Sequence, residues 1–315
     1  MTNIAFDRVI DDLGAATDKD GSRLKMESVI CSDPEGTRIH YFQEPGLINV
    51  RSIAKPIACL ALGVAIDRGL AFNGVGITLD TPVWPLLSKY ASVEDTQTRA
   101  AWGRVVFRDL LRVTLGHDKG LMFSKDIKDR DPDTFVQYVV NYPITGEVGK
   151  NFIYSNAGTF LLSTMITEFL DVQLDQFVFE HLLNPLEINE FHWDQYGQYT
   201  AGCTGLWMYN KDLHKIGRLL LGDGKWNGRQ VVPASFVQEM RSPQVDPPTH
   251  RYVASRAFPK WSYGLNLWIC EDGNYYCDGT DGQYLIVLPE RQRVVTALGF
   301  QPDTTPVSDA LGLFK

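Results

Sequence analysis

Strand-type segments lie at both ends of this chain and helical ones fill its middle, an order that constrains the fold more than any other feature. Residues 4–15 read as a short helix ending near Gly14. Residues 25–32 and 37–43 read as a hairpin turned at Asp33-Pro34-Glu35-Gly36. From Ser52 to Gly69 the apolar residues Ile53, Ile57, Leu60, Ala61, Val64 and Ala65 recur at helical spacing, and Gly69 stands where a C-cap belongs. Residues 107–115, 133–141, 156–169, 174–183 and 211–221 carry apolar positions three to four apart. Residues 261–271, 274–278, 283–289 and 292–300 then run or alternate apolar over strand lengths. The pattern predicts a mixed α/β (α+β) fold in which the two ends complete one sheet flanked by helices, with an inserted helical lobe. We expect an α/β lobe from residues 1–74 and 203–315, a helical lobe from 75–202, and a ligand site in the cleft between them.

Composition narrows the function classes. A formal charge of −8, with no dense Lys/Arg stripe, argues against nucleic acid as partner. No apolar run approaches the roughly 18 residues that span a bilayer, so no membrane partner is expected. The first residues lack a basic stretch followed by an apolar one, and the five cysteines are irregularly spaced with no Cys-x-x-Cys. The reading is a cytoplasmic protein with reduced thiols, without a metal or organic cofactor. Its oligomeric state is not legible.

Three elements carry chemistry. Ser52-Ile53-Ala54-Lys55 opens the apolar helix, where positions i and i+3 share a face and the amine can reach the hydroxyl. Free first-turn amides favour negative charge there, and burial against the helix lowers the Lys55 pKa. A Ser-x-x-Lys arises about once by chance in a chain this long. A second copy, Ser22-Arg23-Leu24-Lys25, follows a turn and leads into a strand, where it reads as structural. Tyr154-Ser155-Asn156, the one Tyr-x-Asn of the sequence, precedes another apolar helix. A tyrosine beside an ammonium can lose its proton below about pH 10 and act as base, and Asn156 can hydrogen-bond the amine or a substrate carbonyl. Ser155 reads as a helix cap. The third element, Cys277-Asp278-Gly279-Thr280-Asp281-Gly282-Gln283, joins two strands and lets a substrate lie against backbone at Gly279. There the Thr280 amide can pair with that of Ser52 to hold an oxyanion. Cys277 reads as a small buried hydrophobe rather than a second nucleophile.

With these motifs in this order, the sequence resembles the serine β-lactamase and penicillin-binding-protein superfamily, in its class C β-lactamase-like branch, from about residue 48 to 300. Leu79-Asp80-Thr81-Pro82-Val83, Val113-Thr114-Leu115-Gly116-His117, Asn184-Pro185-Leu186 and Thr204-Gly205-Leu206-Trp207-Met208 add to the likeness. The resemblance implies a β-lactamase/transpeptidase-like fold and a serine hydrolase or acyltransferase acting on a small-molecule ester or amide through an acyl-enzyme on Ser52. Lys55 and Tyr154 would manage the protons, and Ser52 and Thr280 would form the oxyanion hole. Cys277, Asp278, Gly279, Thr280 and Asn156 would line the substrate site. The third motif departs from the Lys/His-Thr/Ser-Gly usual in β-lactamases and D,D-peptidases: Cys277-Asp278-Gly279 offers no cation for a substrate carboxylate. Esterases and oligomer hydrolases of the branch tolerate variation in that motif. A β-lactamase or D,D-peptidase, and a binding protein that has lost turnover, stand as the alternatives. If Asp278 and Asp281 face the cleft, amine-bearing or neutral substrates are expected.

Overall fold

The computed structural model describes residues 2–72, 74–248 and 257–315. The N-terminal hairpin forms where the sequence predicts it. Strand β1 (Met26–Asp33) pairs antiparallel with β2 (Gly36–Tyr41), and Asp33 Oδ1 accepts the Glu35 amide at 2.9 Å to fix the reversal. Five C-terminal strands complete the sheet: β3 (Ser262–Tyr263), β4 (Trp268–Ile269), β5 (Tyr275–Asp278), β6 (Tyr284–Leu288) and β7 (Arg293–Gly299). The order is β3-β4-β5-β6-β7-β1-β2, and every neighbouring pair is antiparallel. Val29 stands opposite Ala297, so the chain's two ends meet at the β7–β1 pair.

Residues 261–271 are not a single strand but a tight hairpin, with Ser262 opposite Ile269 and Tyr263 opposite Trp268. The Gly264 amide donates to the Leu267 carbonyl at 2.9 Å, and Asn266 turns the chain at φ 59. Asparagine tolerates that left-handed conformation, but apolar alternation gives no sign of the reversal. The turn sets Trp268 beside the end of β5.

Helices cover both faces of the sheet, so its inner strands are buried along their whole length. On one face α1 (Thr2–Ala15) and α9 (Thr305–Leu311) pack Phe6, Val9, Leu13, Val307 and Leu311 over Val29, Ile286 and Val295. On the other, α2 (Ala54–Asp67) and α7 (Asn210–Leu221) join Leu285, Val287 and Leu298 in one core with the central helices. These include α3 (Phe107–Leu111), α4 (Phe135–Asn141), α5 (Ala157–Leu170) and α6 (Leu174–Val178). The helix expected over 107–115 stops early, because Val113 has φ 56.

Helix α2 is buried from Ala54 to Ala65, packed between α5, α6 and α8 (Ala234–Met240). Its small residues permit that crowding. A β-carbon on Gly63 would lie 2.4 Å from the Phe236 ring. Pro56 sits in the first turn, where its missing amide costs no helical hydrogen bond. The consequence for function is that the N-terminal end of α2, and Lys55 with it, is shielded from water.

Candidate active site

A 3-10 turn, Arg51–Ile53, delivers Ser52 to the start of α2. Arg51 adopts φ 55, a left-handed conformation that turns the chain just ahead of the serine. Lys55 follows one turn later. Its Nζ donates to Ser52 Oγ at 2.9 Å and to the Cys203 carbonyl at 3.2 Å, and the residue is 1% exposed. Burial lowers its pKa to about 8, while Cys203 and Asp278 pull the other way. About a tenth of the amine is therefore neutral at pH 7.

Tyr154 reaches the same point from the far side. Its hydroxyl is hydrogen-bonded to the Ser52 side chain, and Lys55 Nζ lies 4.9 Å from its ring centroid. The ring stacks on Trp268 at 5.7 Å and on Phe123 at 6.4 Å. The expectation that Lys55 lowers the Tyr154 pKa is overturned. Desolvation raises it, with the Asp278 charge adding to the rise, and the contact with Ser52 does not compensate. Tyr154 thus stays a phenol near neutral pH, and Lys55 is the group that can give up a proton.

The end of β5 closes the site. A cavity of about 200 Å³ is lined by Ser52, Tyr154, Lys260, Trp268, Asp278, Gly279, Thr280 and Thr304. Gly279 permits this approach, since a β-carbon there would meet Gln283 Oε1 at 2.3 Å and Arg51 Cβ at 2.9 Å. The Gly279 amide donates to the Gln283 carbonyl and the Asp281 amide to Gln283 Oε1. The Thr280 amide between them takes part in neither bond.

Two predicted substrate contacts lie elsewhere. The Cys277 side chain is buried in the core beneath the sheet, because β5 alternates and Asp278 takes the cavity face. Burial also pushes its thiol pKa well up, which suits the inert reading. Asn156 donates through Nδ2 to the Met122 carbonyl at 2.8 Å and does not line the cavity. The N-cap position of α5 is Asn156 rather than Ser155, but Ser155 Oγ still accepts the amide of Ala157, the first helical residue, at 3.2 Å, and that of Leu121 at 3.0 Å.

Sequence reasoning missed Lys260, Trp268 and Thr304. No motif marks them, and apolar alternation over 261–271 gives no sign of the hairpin that positions Lys260 and Trp268. A larger hollow of about 600 Å³, lined by Leu13, Lys25, Glu27, Phe42 and Phe300 among others, brings no nucleophile to Lys25. Among the described residues no group of three or more His, Cys, Asp or Glu is placed to hold a metal ion, and no helix is long and apolar enough to cross a membrane.

Known proteins resemble this chain in sequence and in fold. Protein Rv1367c of Mycobacterium tuberculosis is 23% identical over 279 residues, covering 73% of this chain and 68% of its own. EstCE1, a hydrolase with promiscuous acyltransferase activity, superposes with a TM-score of 0.73 at 16% identity, over 98% of this chain and 99% of its own. A 6-aminohexanoate-dimer hydrolase assigned in Bacillus anthracis gives 0.68 at 17% identity, over 92% and 77%. The Beta-lactamase family profile matches residues 43–310. With that match spanning most of its length and the antiparallel sheet and helices of the β-lactamase/transpeptidase-like fold in place, the chain belongs to the Beta-lactamase family.

Proposed function

We propose that the protein is a serine acyl hydrolase or transacylase that takes an ester or amide through an acyl-enzyme on Ser52. The observation that carries this reading is the meeting of three distant groups. Lys55 Nζ stands 2.9 Å from Ser52 Oγ, and the Tyr154 hydroxyl engages the same serine. Neutral Lys55 accepts the Ser52 proton as Oγ attacks the carbonyl carbon, and the π electrons of that carbonyl move onto its oxygen. Ser52 and Thr280 both line the cavity, and their amides are suited to hold that oxyanion. As the tetrahedral carbon collapses, the bond to the leaving alcohol or amine breaks. The leaving group takes a proton from the Tyr154 hydroxyl, which Lys55 replenishes. Water, or an acceptor alcohol or amine, then attacks the acyl carbon with the proton flow reversed and frees Ser52.

Hydrolase and acyltransferase relatives on this fold support the class of reaction. Five buried, unpaired cysteines suit a reducing compartment such as the cytoplasm. Action on β-lactams is the second reading. It is disfavoured because Cys277, in place of the family cation, is buried away from the cavity, and Lys260, which does line it, is paired with Asp278; rapid turnover of a chromogenic cephalosporin would reinstate it. The direct test is intact mass after incubation with p-nitrophenyl acetate or a fluorophosphonate. One adduct on the wild type, absent from Ser52→Ala, is expected. No wild-type adduct overturns the reading in favour of a binding protein.

A further inference from the structure

The carboxylates of Asp278, the last residue of β5, and of Asp281 just beyond it are matched by cations from distant parts of the chain. Arg51 Nε binds Asp281 Oδ2 at 2.7 Å. Asp278 accepts Trp268 Nε1 on Oδ1 at 2.9 Å and faces Lys260 Nζ across 3.4 Å on Oδ2. Lys260 lies just ahead of β3, and its ammonium also sits 4.0 Å from the Trp268 ring centroid. The Lys260 and Asp278 side chains line the cavity yet are only 15% and 27% exposed, so water screens their mutual attraction weakly. Asp278 by itself would point to cationic substrates. The pair does not.

We propose that Lys260 and Asp278 are specificity residues that make the acyl pocket charge-balanced, so that it accepts small uncharged acyl groups and rejects both anionic and cationic ones. This rests on the acyl-enzyme reading above and names the substrate class for it. An entering carboxylate attracted to Lys260 must displace or confront Asp278, and an entering ammonium attracted to Asp278 must confront Lys260. Either event leaves one charge without its partner in a partly dry site, which is how a pocket discriminates against charged ligands. The cavity, at about 200 Å³, lies below the roughly 300–1,000 Å³ of ordinary small-molecule sites, which favours short acyl chains.

The test compares kcat/KM for three p-nitrophenyl esters of matched length, ending in a methyl, a carboxylate or an ammonium group, with spontaneous hydrolysis subtracted. For the wild type, the methyl-ended ester is expected to lead both charged ones by about tenfold or more. Asp278→Asn is expected to raise the anionic-to-neutral ratio about tenfold, and Lys260→Met the cationic-to-neutral ratio by a similar factor. The Lys260→Met/Asp278→Asn double variant should return to neutral preference. Equal wild-type rates for all three esters, or single variants that shift both ratios in the same direction, overturn the proposal. Should a single variant fail to fold, the wild-type ratios and the double variant still decide. Absence of any acyl adduct on Ser52 defeats the underlying reading, whereas an adduct with turnover but no charge discrimination defeats this inference alone.

Discussion

The chain contains two Ser-x-x-Lys tetrads, and their fates differ completely. Ser22 and Lys25 are exposed. The Ser22 amide donates to Asp18 Oδ1 at 2.9 Å in a surface turn, and Thr17 bridges Arg23 just outside β1. Ser52 and Lys55 span a 3-10 turn and the start of a buried helix, where the amine reaches the hydroxyl at 2.9 Å and is drawn down to a pKa of about 8. The same residue types at the same spacing make a surface turn in one place and a buried amine–hydroxyl contact in the other. What separates them is helical geometry, which sets i beside i+3, and the removal of water from the amine.

The sharpest way to break this contrast is covalent labelling. Ser52→Ala is expected to abolish the acyl adduct seen by intact mass, while Ser22→Ala leaves it unchanged; labelling that survives at Ser52→Ala would equate the two tetrads. Next in size are Lys55→Met and Tyr154→Phe. Each is expected to lower the acylation rate by about 10²- to 10⁴-fold in stopped-flow release of p-nitrophenol, whereas Lys25→Met leaves it within the error.

A third comparison uses pH. Acylation should rise with pH through an apparent pKa near 8, as Lys55 loses its proton, with no further rise below pH 10 from Tyr154. Stability carries the same signature. Below about pH 8 Lys55 is protonated both folded and unfolded, so its burial cost is constant. Between about 8 and the unfolded value of about 10.4 the folded state binds fewer protons, so stability rises with pH by on the order of 3 kcal/mol in total. Denaturant titrations of wild type and Lys55→Met should diverge across that window, and those of Lys25→Met should not. The smallest expected effect is steric. Gly279→Ala forces its β-carbon against Gln283 and Arg51, and is expected to destabilise by about 1–3 kcal/mol in the same titrations while slowing acylation.

Much of this was legible beforehand because it is local. The β1–β2 hairpin announces itself through Asp33-Pro34-Glu35-Gly36, and α2 and α5 through apolar spacing with Ser52 and Tyr154 placed at their starts. Arrangements that depend on a reversal or on facing were not. The Trp261–Glu271 stretch folds back at Asn266, so Trp268 and Lys260 arrive at a cavity that no motif assigns to them. Strand parity turns Cys277 inward and Asp278 toward the cavity, a distinction that the motif alone does not carry. Asn156 is engaged by the Met122 carbonyl, a partner 34 residues away.

The sequence by itself determined most of the elements, the family likeness and the identity of the hydroxyl, amine and phenol, because helical and strand periodicity and short motifs are properties of neighbouring residues. Only the tertiary structure decided the state of those groups. The pKa values of Lys55 and Tyr154, and the pairing of Asp278 with Lys260 and Asp281 with Arg51, depend on which distant side chains exclude water and which charges they bring within a few ångströms.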